Sequence, residues 1–320
     1  MNNEYINPLR PNNFNEFIGQ DAIISNLKVY IKASLLKNTS LDHTLLVGHA
    51  GVGKTSLAYI IAKELKQRII VINANSIEKP KDIIIALSKL NVGDILFIDE
   101  IHALNKNCEE VLYSAMEDFY INLNIKNNSK REIMKYELPP FTLIGATTKI
   151  EELSKPLLDR FSIIFTLVNY SYSDITKILN NISNKLDFHY EIDALKEISS
   201  VSRLIPRIAI NYLKRINDYA ITDNLKKINK DYALEVLNKI GINKYGLNNL
   251  DIRYLNMLYI EYQGHPIGIN TIASYLNENK KTIEDIVEKY LIEIGFIKKT
   301  SKGRIITNKG ITYLNSLYKK

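Results

Sequence analysis

The sequence predicts an α/β domain with a mostly parallel sheet, then a small helical domain, then a unit of three helices and a hairpin. Short apolar runs alternate with helical segments up to about residue 170, which is typical of a parallel sheet covered by helices on both faces. From Ser173 to Ile240 only helical segments follow, and after Leu250 the chain ends in two extended runs around a basic turn. A length of 320 residues is consistent with two or three domains.

The composition is that of a globular protein, with 46% apolar and 24% charged residues. Cys108 is the only cysteine, which excludes an intrachain disulfide or a cysteine-based metal cluster. The start, MNNEYINPLRPNN, has no signal-peptide core, and no run approaches the roughly 18 apolar residues of a membrane span. We therefore expect a soluble, cytoplasmic protein with no membrane partner.

The net charge of +7 is confined to the end of the chain. Residues 296–320 carry seven basic side chains and no acidic one, whereas the preceding 295 residues carry 35 of each sign. A localised excess of this kind indicates contact with a polyanion, although terminal lysines are also common in solvated tails.

The segment GHAGVGKTS (48–56) lies between a strand-like run, LLV (45–47), and a helical segment, SLAYIIAKEL. Its first eight residues match GxxxxGK[ST], in which glycines let backbone amides surround phosphates at a helix N-terminus. Lys54 would reach the β- and γ-phosphates, Thr55 would bind Mg²⁺, and Ser56 could add a contact. The alternative is a plain glycine-rich turn.

A second element of the same site is the acidic end of the run DILFIDE (94–100). Asp99 and Glu100 follow four apolar residues and emerge at the carboxyl end of a strand, the edge where such sheets bind ligands. Asp99 would hold Mg²⁺ and its waters, and Glu100 is placed to polarise an attacking water, which favours hydrolysis over transfer. The alternative is a solvated turn.

Further strand candidates are residues 68–74, 141–148 and 162–168.

An insertion at residues 119–140 is too long for an ordinary helix-to-strand connection. Ile121, Leu123 and Ile125 alternate with polar residues, and residues 127–129 (Asn-Asn-Ser) can turn the chain back. We predict a β-hairpin that projects from the sheet. Its apolar residues form either a partner surface or local packing.

The second and third domains are predicted from helical spacing. Ser173 is a candidate N-cap and Pro206 fits a first helical position. The predicted helices of the second domain are 173–187, 193–200, 206–221 and 230–240, and those of the third lie near 250–262, 269–276 and 281–294. Residues 296–307 then form a hairpin with Ser-Lys-Gly at its tip, and three helices followed by such a basic hairpin describe a winged helix.

Two arginines have no evident place in a core. Arg160 lies in KPLLDRF just before a strand, and Arg207 lies in IPRIA at a helix start. An arginine that a neighbouring subunit supplies to the γ-phosphate increases phosphoryl-transfer rates by about 10³–10⁵. A surface salt bridge is the alternative for each, and their spacing does not choose between the two.

In this order, the P-loop, LFIDE, GATT, LLDRF and PRIA resemble the motifs of the AAA+ ATPases. The chain is similar more closely to the RuvB family of Holliday-junction branch-migration motors, and the match runs nearly end to end. The matching segments are LRPNNFNEFIGQ (9–20), LFIDEIHALN (96–105), EEVLYSAMEDF (109–119), LPPFTLIGATT (138–148), LLDRFSI (157–163), IPRIA (205–209) and TIED (282–285). The resemblance implies an α/β AAA+ P-loop NTPase large domain with a parallel sheet at 1–171, a small helical lid at 172–243 and a C-terminal winged helix at 244–320.

The resemblance also implies an ATPase centre that uses ATP and Mg²⁺. Lys54, Thr55, Asp99 and Glu100 would form it, with Thr55 and Asp99 on the metal. Thr147 and Thr148 would be the sensor region, Arg160 the finger acting on a neighbour's nucleotide, and Arg207 the lid sensor. The implied nucleotide-binding residues are Leu9, Arg10, Ile18, Gly48, Gly51, Val52, Gly53, Lys54, Thr55, Ser56, Glu117, Asp118, Phe119, Arg160, Tyr170 and Arg207, with Leu9, Arg10 and Tyr170 on the adenine side.

For partners, the resemblance implies DNA, RuvA and further copies of the chain. Lys280, Lys299 and Arg304 stand where the family contacts DNA phosphates, and the 119–140 hairpin would dock RuvA. Two DNA-contact arginines of the family are lysines here, which keeps phosphate attraction but loses the bidentate fork. Other departures from the family pattern are His49 and Ala50 for two prolines, Ser114 for a proline, Leu158 for an arginine, and LIPRIA without the usual Gly-Thr.

We interpret the sequence as an ATP-driven DNA motor, a homohexameric ring that pulls duplex DNA through a Holliday junction with RuvA in recombination and repair. Two other readings stay open on the residues alone. One is a clamp-loader-like or initiator AAA+ protein, and the other is a nucleotide-gated transcription factor, since a winged helix often serves that role.

Overall fold

The computed structural model describes residues 8–127, 130–186 and 188–318. The chain forms two compact units, one that runs to Lys185 and includes Ile205–Arg207, and one that comprises Leu186–Leu204 and the chain from Ile208 onward. In the described residues no helix is long and apolar enough to cross a membrane.

The first unit contains a five-stranded parallel sheet, which confirms the predicted α/β class. The strands of this sheet are β1 (Thr44–Val47), β2 (Ile69–Asn73), β3 (Ile95–Asp99), β6 (Thr142–Thr147) and β7 (Ile163–Thr166). Their order across the sheet is β2-β3-β6-β1-β7. The central strands are buried on both faces, and exposure alternates along the edge strands, as expected for a sheet covered by helices.

Polar side chains cap the start of several helices in the first unit. The side chain of Asn105 accepts a hydrogen bond from the backbone N–H of Cys108 at 3.0 Å and starts α4. The cap of α6 is Ser171 and not Ser173, because the Ser171 hydroxyl accepts from the N–H of Asp174 at 3.1 Å. These helices are α1 (Asp21–Lys37), α2 (Lys54–Glu64), α3 (Pro80–Leu87), α4 (Lys106–Glu117), α5 (Lys155–Leu158) and α6 (Tyr172–Lys185).

The insertion forms the predicted antiparallel hairpin, β4 (Tyr120–Asn127) with β5 (Lys130–Glu137). Of the predicted turn, Asn128 and Ser129 lie outside the described residues, as does the side chain of Ile125. Ile121 is 1% exposed and belongs to the core of the first unit, so local packing explains it and a partner surface does not.

The next helices are α7 (Ile192–Val201), α8 (Pro206–Thr222) and α9 (Lys230–Lys239). They belong to the second unit except for Pro206 and Arg207, which open α8 and belong to the first unit. Pro206 is the first residue of α8, as predicted. A parallel pair of two-residue strands, β8 (His189–Tyr190) and β9 (Lys227–Ile228), is not predicted by the sequence, because two residues show no periodicity.

The rest of the second unit is a winged helix, as predicted. Gly303 opens β11 with φ of +138°, and a Cβ there would lie 2.4 Å from the carbonyl oxygen of Ile267, so only glycine fits. Its elements are α10 (Asn249–Asn256) with a π-helical turn (Met257–Glu261), α11 (Ile269–Leu276), α12 (Lys280–Thr282), a π-helical segment (Ile283–Glu288), α13 (Lys289–Glu293), β10 (Ile297–Thr300), β11 (Gly303–Ile306) and α14 (Asn308–Tyr318).

Candidate nucleotide and DNA sites

The P-loop connects β1 to α2 at the carboxyl edge of the sheet, and close packing holds its path. Gly51 and Gly53 have φ of +84° and +107°, in the left-handed region that favours glycine. A Cβ at Gly51 would lie 2.8 Å from Cβ of Arg207, and one at Gly53 would lie 3.1 Å from Cζ of Phe17. The backbone therefore keeps the curled form that can surround phosphates.

Lys54 is the first residue of α2 and is buried, with 6% exposure. Its ammonium donates hydrogen bonds to the carbonyl oxygens of Gly48 at 2.7 Å and His49 at 3.1 Å. Burial lowers the pKa of Lys54, while the carboxylates of Glu100 and Asp99 act in the opposite direction. A buried cation that rests on carbonyl oxygens is well placed to exchange them for phosphate oxygens.

Thr55 and Asp99 converge from two elements. The Thr55 hydroxyl lies 3.4 Å from Oδ2 of Asp99, which ends β3. A hydroxyl and a single carboxylate suit Mg²⁺, which keeps several waters and takes its other ligands from phosphates. In the described part of the chain no group of three His, Cys, Asp or Glu side chains is placed to hold a metal ion.

Glu100 follows β3 with φ of +52°, a left-handed conformation that is unusual for a non-glycine residue. Its carboxylate accepts a hydrogen bond from the Thr148 hydroxyl at 3.2 Å. The Thr147 hydroxyl, fully buried at the end of β6, lies 3.0 Å from Nδ1 of His102. The structure thus brings both predicted sensor threonines to the turn that carries Glu100.

Of the residues predicted for the adenine side, Tyr170 contacts the P-loop and Arg10 lies against α2. The hydroxyl of Tyr170, which is 5% exposed, donates to the carbonyl oxygen of Val52 at 2.9 Å. Burial raises the pKa of Tyr170 well above its usual value. The guanidinium of Arg10 lies 4.9 Å from the ring centre of Tyr59 on α2, and Leu9 is partly buried.

Ile18, Arg207 and Ser56, which are also predicted to bind the nucleotide, differ in their surroundings. Ile18 lines a groove against α1, whereas Arg207 is exposed with its Cβ beside Gly51. Ser56 is partly buried in the first turn of α2, where it could add the predicted contact.

Arg160 lies in a different groove together with Glu117 and Phe119. Its guanidinium donates to the carboxylate of Glu117 at 2.8 Å and to the carbonyl oxygen of Pro156 at 2.7 Å. The guanidinium also lies 4.7 Å from the ring centre of Tyr113. These contacts hold the arginine in a defined direction, with 25% of its side chain exposed.

This groove is at the amino edge of the sheet, opposite the P-loop. His43, which precedes β1, contacts the carbonyl oxygen of Met116 at 3.0 Å, next to Glu117. A strand of four residues such as β1 spans about 13 Å at 3.3 Å per residue, and the P-loop lies beyond its far end. Arg160, Glu117 and Asp118 are therefore placed away from the P-loop of their own chain.

The DNA-contact candidates of the winged helix differ in accessibility. The guanidinium of Arg304 donates to Glu288 at 2.8 Å and to Glu284 at 2.7 Å, and only 14% of this side chain is exposed. Lys299 pairs with the buried Glu288 at 2.9 Å and is 47% exposed. Burial acts to raise the pKa of Glu288, but hydrogen bonds from Arg304, Lys299 and Tyr254 lower it below its usual value.

Lys280 is exposed at the first residue of α12, and no ion pair involves it in the described part of the chain. Lys298 and Lys302, on the wing, are also exposed without an ion pair among the described residues. These three lysines, one on α12 and two on the wing, are called here the wing lysines, and all three are more exposed than Arg304. The sequence does not distinguish these lysines from Arg304, because the glutamates that pair with Arg304 lie 16 and 20 residues away in the chain.

The sequence-based site also omits residues that the structure places in it. His102 contacts Thr147, and Phe17 packs against Gly53. The side chain of Gln20 exchanges two hydrogen bonds with the backbone of Val168, just after β7. Only His102 has a local signal, since it is a polar residue directly after the strand end that carries Glu100.

Three family models match this chain. The model of the Holliday junction DNA helicase RuvB P-loop domain matches residues 9–167, the RuvB AAA lid domain 170–243, and the RuvB C-terminal winged helix domain 244–315.

Individual relatives match over nearly the whole chain. The Holliday junction branch migration complex subunit RuvB of Ehrlichia ruminantium (strain Gardel) is 44% identical over 96% of this chain and 92% of its own. Its counterpart in Helicobacter pylori (strain P12) is 44% identical over 94% of this chain and 89% of its own. The solved structure of the Thermotoga maritima RuvB Holliday junction branch migration motor is 38% identical, covers 96% of this chain and 98% of its own, and has a TM-score of 0.85. This chain belongs to the RuvB family.

Proposed function

We propose that this protein hydrolyses ATP with Mg²⁺ and uses the energy to drive branch migration of Holliday junctions, in recombination and repair. It would act in the cytoplasm as a homohexameric ring together with RuvA. The observation that carries the proposal is the division of the hydrolytic residues between opposite edges of one sheet. Lys54, Asp99 and Glu100 lie at the carboxyl edge and Arg160 at the amino edge, so a complete site needs two subunits.

Within one subunit, the chain supplies binding and water activation. The P-loop amides and Lys54 bind phosphate oxygens, and Thr55 and Asp99 hold Mg²⁺, which neutralises phosphate charge when bound. Glu100 orients and polarises the attacking water. Arg207, next to Gly51, places a lid cation beside the same phosphates.

Between subunits, Arg160 supplies positive charge to the phosphates held by a neighbour, and Glu117 and Phe119 border that nucleotide. This assignment explains why Arg160 is fixed by Glu117 and Pro156 in a direction away from its own P-loop. It also predicts that turnover depends on assembly.

The proposed partner surfaces are the wing lysines for duplex DNA and the hairpin β4–β5 for RuvA. Ile121 is part of the core, so the contact with RuvA involves other hairpin residues. Met134 and Tyr136 on β5 are 46% and 39% exposed and offer apolar area for such a contact.

The direct test is migration of a synthetic four-way junction, with ATP and Mg²⁺, in the presence and absence of RuvA. We expect ATP-dependent strand separation that RuvA stimulates, and none with the Lys54→Ala variant. ATP turnover that needs a sliding clamp or an origin sequence would favour a clamp-loader or initiator role. Sequence-specific DNA binding without DNA-stimulated turnover would favour a transcription factor.

The wing lysines can be tested through the salt dependence of DNA binding. Lys302→Ala should flatten the slope of log affinity against log salt by about 0.9, because one phosphate contact is lost. Lys32→Ala, an exposed charge on α1, is the matched control and should leave the slope unchanged. An unchanged slope for Lys302→Ala would remove this part of the wing from the interface. Arg304→Ala is a poor probe, since it also removes a partner of the buried Glu288.

A further inference from the structure

His102 lies in the single 3₁₀ turn Ile101–Ala103 directly after β3, and its imidazole is 10% exposed. Its Nδ1 is 3.0 Å from Oγ1 of Thr147 and 3.4 Å from Oε2 of Glu100. One ring nitrogen therefore contacts both the end of β6 and the glutamate proposed to activate water.

The neighbouring donors restrict the direction of these hydrogen bonds. The backbone N–H of Lys149 donates to Oγ1 of Thr147 at 2.9 Å, and the Thr148 hydroxyl donates to Oε2 of Glu100 at 3.2 Å. A carboxylate only accepts, so an unprotonated Nδ1 would set its lone pair against the Glu100 oxygen. The ring stabilises both neighbours when Nδ1 carries the proton.

The backbone of Glu100 increases the need for such support. A non-glycine residue in a left-handed conformation costs about 1–3 kcal/mol and persists only where surrounding contacts hold it. Its N–H donates to Oδ1 of its neighbour Asp99 at 3.1 Å. Among the described residues, Thr148 and His102 contact its carboxylate. The direction of the carboxylate thus depends on the end of β6 and on the imidazole.

We infer that His102 is a positioning residue for hydrolysis, which through Nδ1 joins Thr147 to Glu100 and transmits changes at the end of β6 to the carboxylate. The inference rests on the proposed ATPase function. It assigns different roles to the two adjacent threonines. Thr148 contacts Glu100 directly, and Thr147 acts on Glu100 through the imidazole of His102.

The two ring nitrogens can be separated by two amide variants. The side-chain amide of asparagine lies near the position of Nδ1, whereas that of glutamine lies near the position of Nε2. We expect His102→Gln to lower kcat for ATP by roughly 10- to 100-fold, as loss of a residue that orients a reactive group commonly does, with KM unchanged. We expect His102→Asn to restore most of the turnover. A purely structural role would lower the melting temperature of both variants and would not separate them in kcat.

A double variant tests the route between Thr147 and Glu100. If His102 joins them, adding His102→Gln to Thr147→Val should lose less turnover than the sum of the two single variants. Equal kcat values for wild type and His102→Gln, equal losses in His102→Asn and His102→Gln, or additive losses in the double variant would each overturn the inference. Absence of ATP hydrolysis by the wild-type protein under junction-migration conditions is a different result, and would contradict the proposed function itself.

Discussion

Replacing Arg160 by alanine is expected to lower ATP turnover of the assembled protein by about 10³–10⁵-fold, or roughly 4–7 kcal/mol of transition-state stabilisation. Nucleotide binding to the same subunit should be unchanged, because Arg160 lies at the amino edge of the sheet and the P-loop at the carboxyl edge. Steady-state turnover and equilibrium binding of a fluorescent ATP analogue measure the two effects separately. Arg215→Ala, which removes an exposed arginine from a surface pair, is the matched control and should retain activity.

Mixing two inactive variants tests whether Arg160 acts between subunits. Arg160→Ala subunits keep Glu100, and Glu100→Gln subunits keep the arginine, so some interfaces of a mixed ring contain both groups. Activity should therefore return at intermediate ratios and be absent at either extreme. If no ratio restores turnover, the arginine serves its own chain or has no role in hydrolysis.

The second large effect is expected on stability. Asp251→Ala should lower the free energy of unfolding by about 3–5 kcal/mol, because it leaves the guanidinium of Arg203 buried without a counter-charge. Asp251 is fully buried and the Arg203 side chain is 7% exposed. The guanidinium also donates to the carbonyl oxygen of Gly246 at 2.9 Å and lies 4.4 Å from the ring centre of Tyr290. Urea unfolding followed by circular dichroism measures the loss.

Two comparisons distinguish this cost from a general effect of substitution. The double variant with Arg203→Ala and Asp251→Ala should lose less unfolding free energy than the sum of the losses in the two single variants. The reason is that the double variant contains no unpaired buried charge at this position. Asp193→Ala breaks an exposed pair with Lys196 and should leave the unfolding curve unchanged. Additive losses in the double variant would contradict a coupled ion pair.

Local patterns predicted most of the fold. Each predicted strand of the sheet is present within two residues, and the helices of the second and third domains begin and end near their predicted bounds. The sequence misses β8 and β9, which are too short for periodicity, and α14, which has Gly310 in its first turn and lysines around it. The secondary structure of these three segments depends on tertiary packing and not on a local sequence pattern.

The candidate site was predictable to the extent that its residues are adjacent in the chain. The P-loop and the Asp99-Glu100 pair stand out because each joins a strand end to a turn within a few residues. The position of His102 directly after Glu100 and Ile101 is a local signal, but its contact with Thr147 spans 45 residues and is not visible in the sequence. The same limit applies to Arg304, which looks like any basic wing residue until its partners on the preceding helix are known.

The sequence by itself determined the nucleotide loop, the parallel sheet and the three successive domains, because hydrophobic periodicity and glycine spacing act over short stretches. The tertiary structure decided which charges are available. It placed Arg160 on Glu117 at the edge away from its own P-loop, and it turned Arg304 toward buried Glu288 while Lys302 stayed exposed. Whether a cation serves a neighbour, a phosphate or an internal carboxylate depends on which counter-charge the fold brings within about 4 Å, where opposite charges attract most strongly.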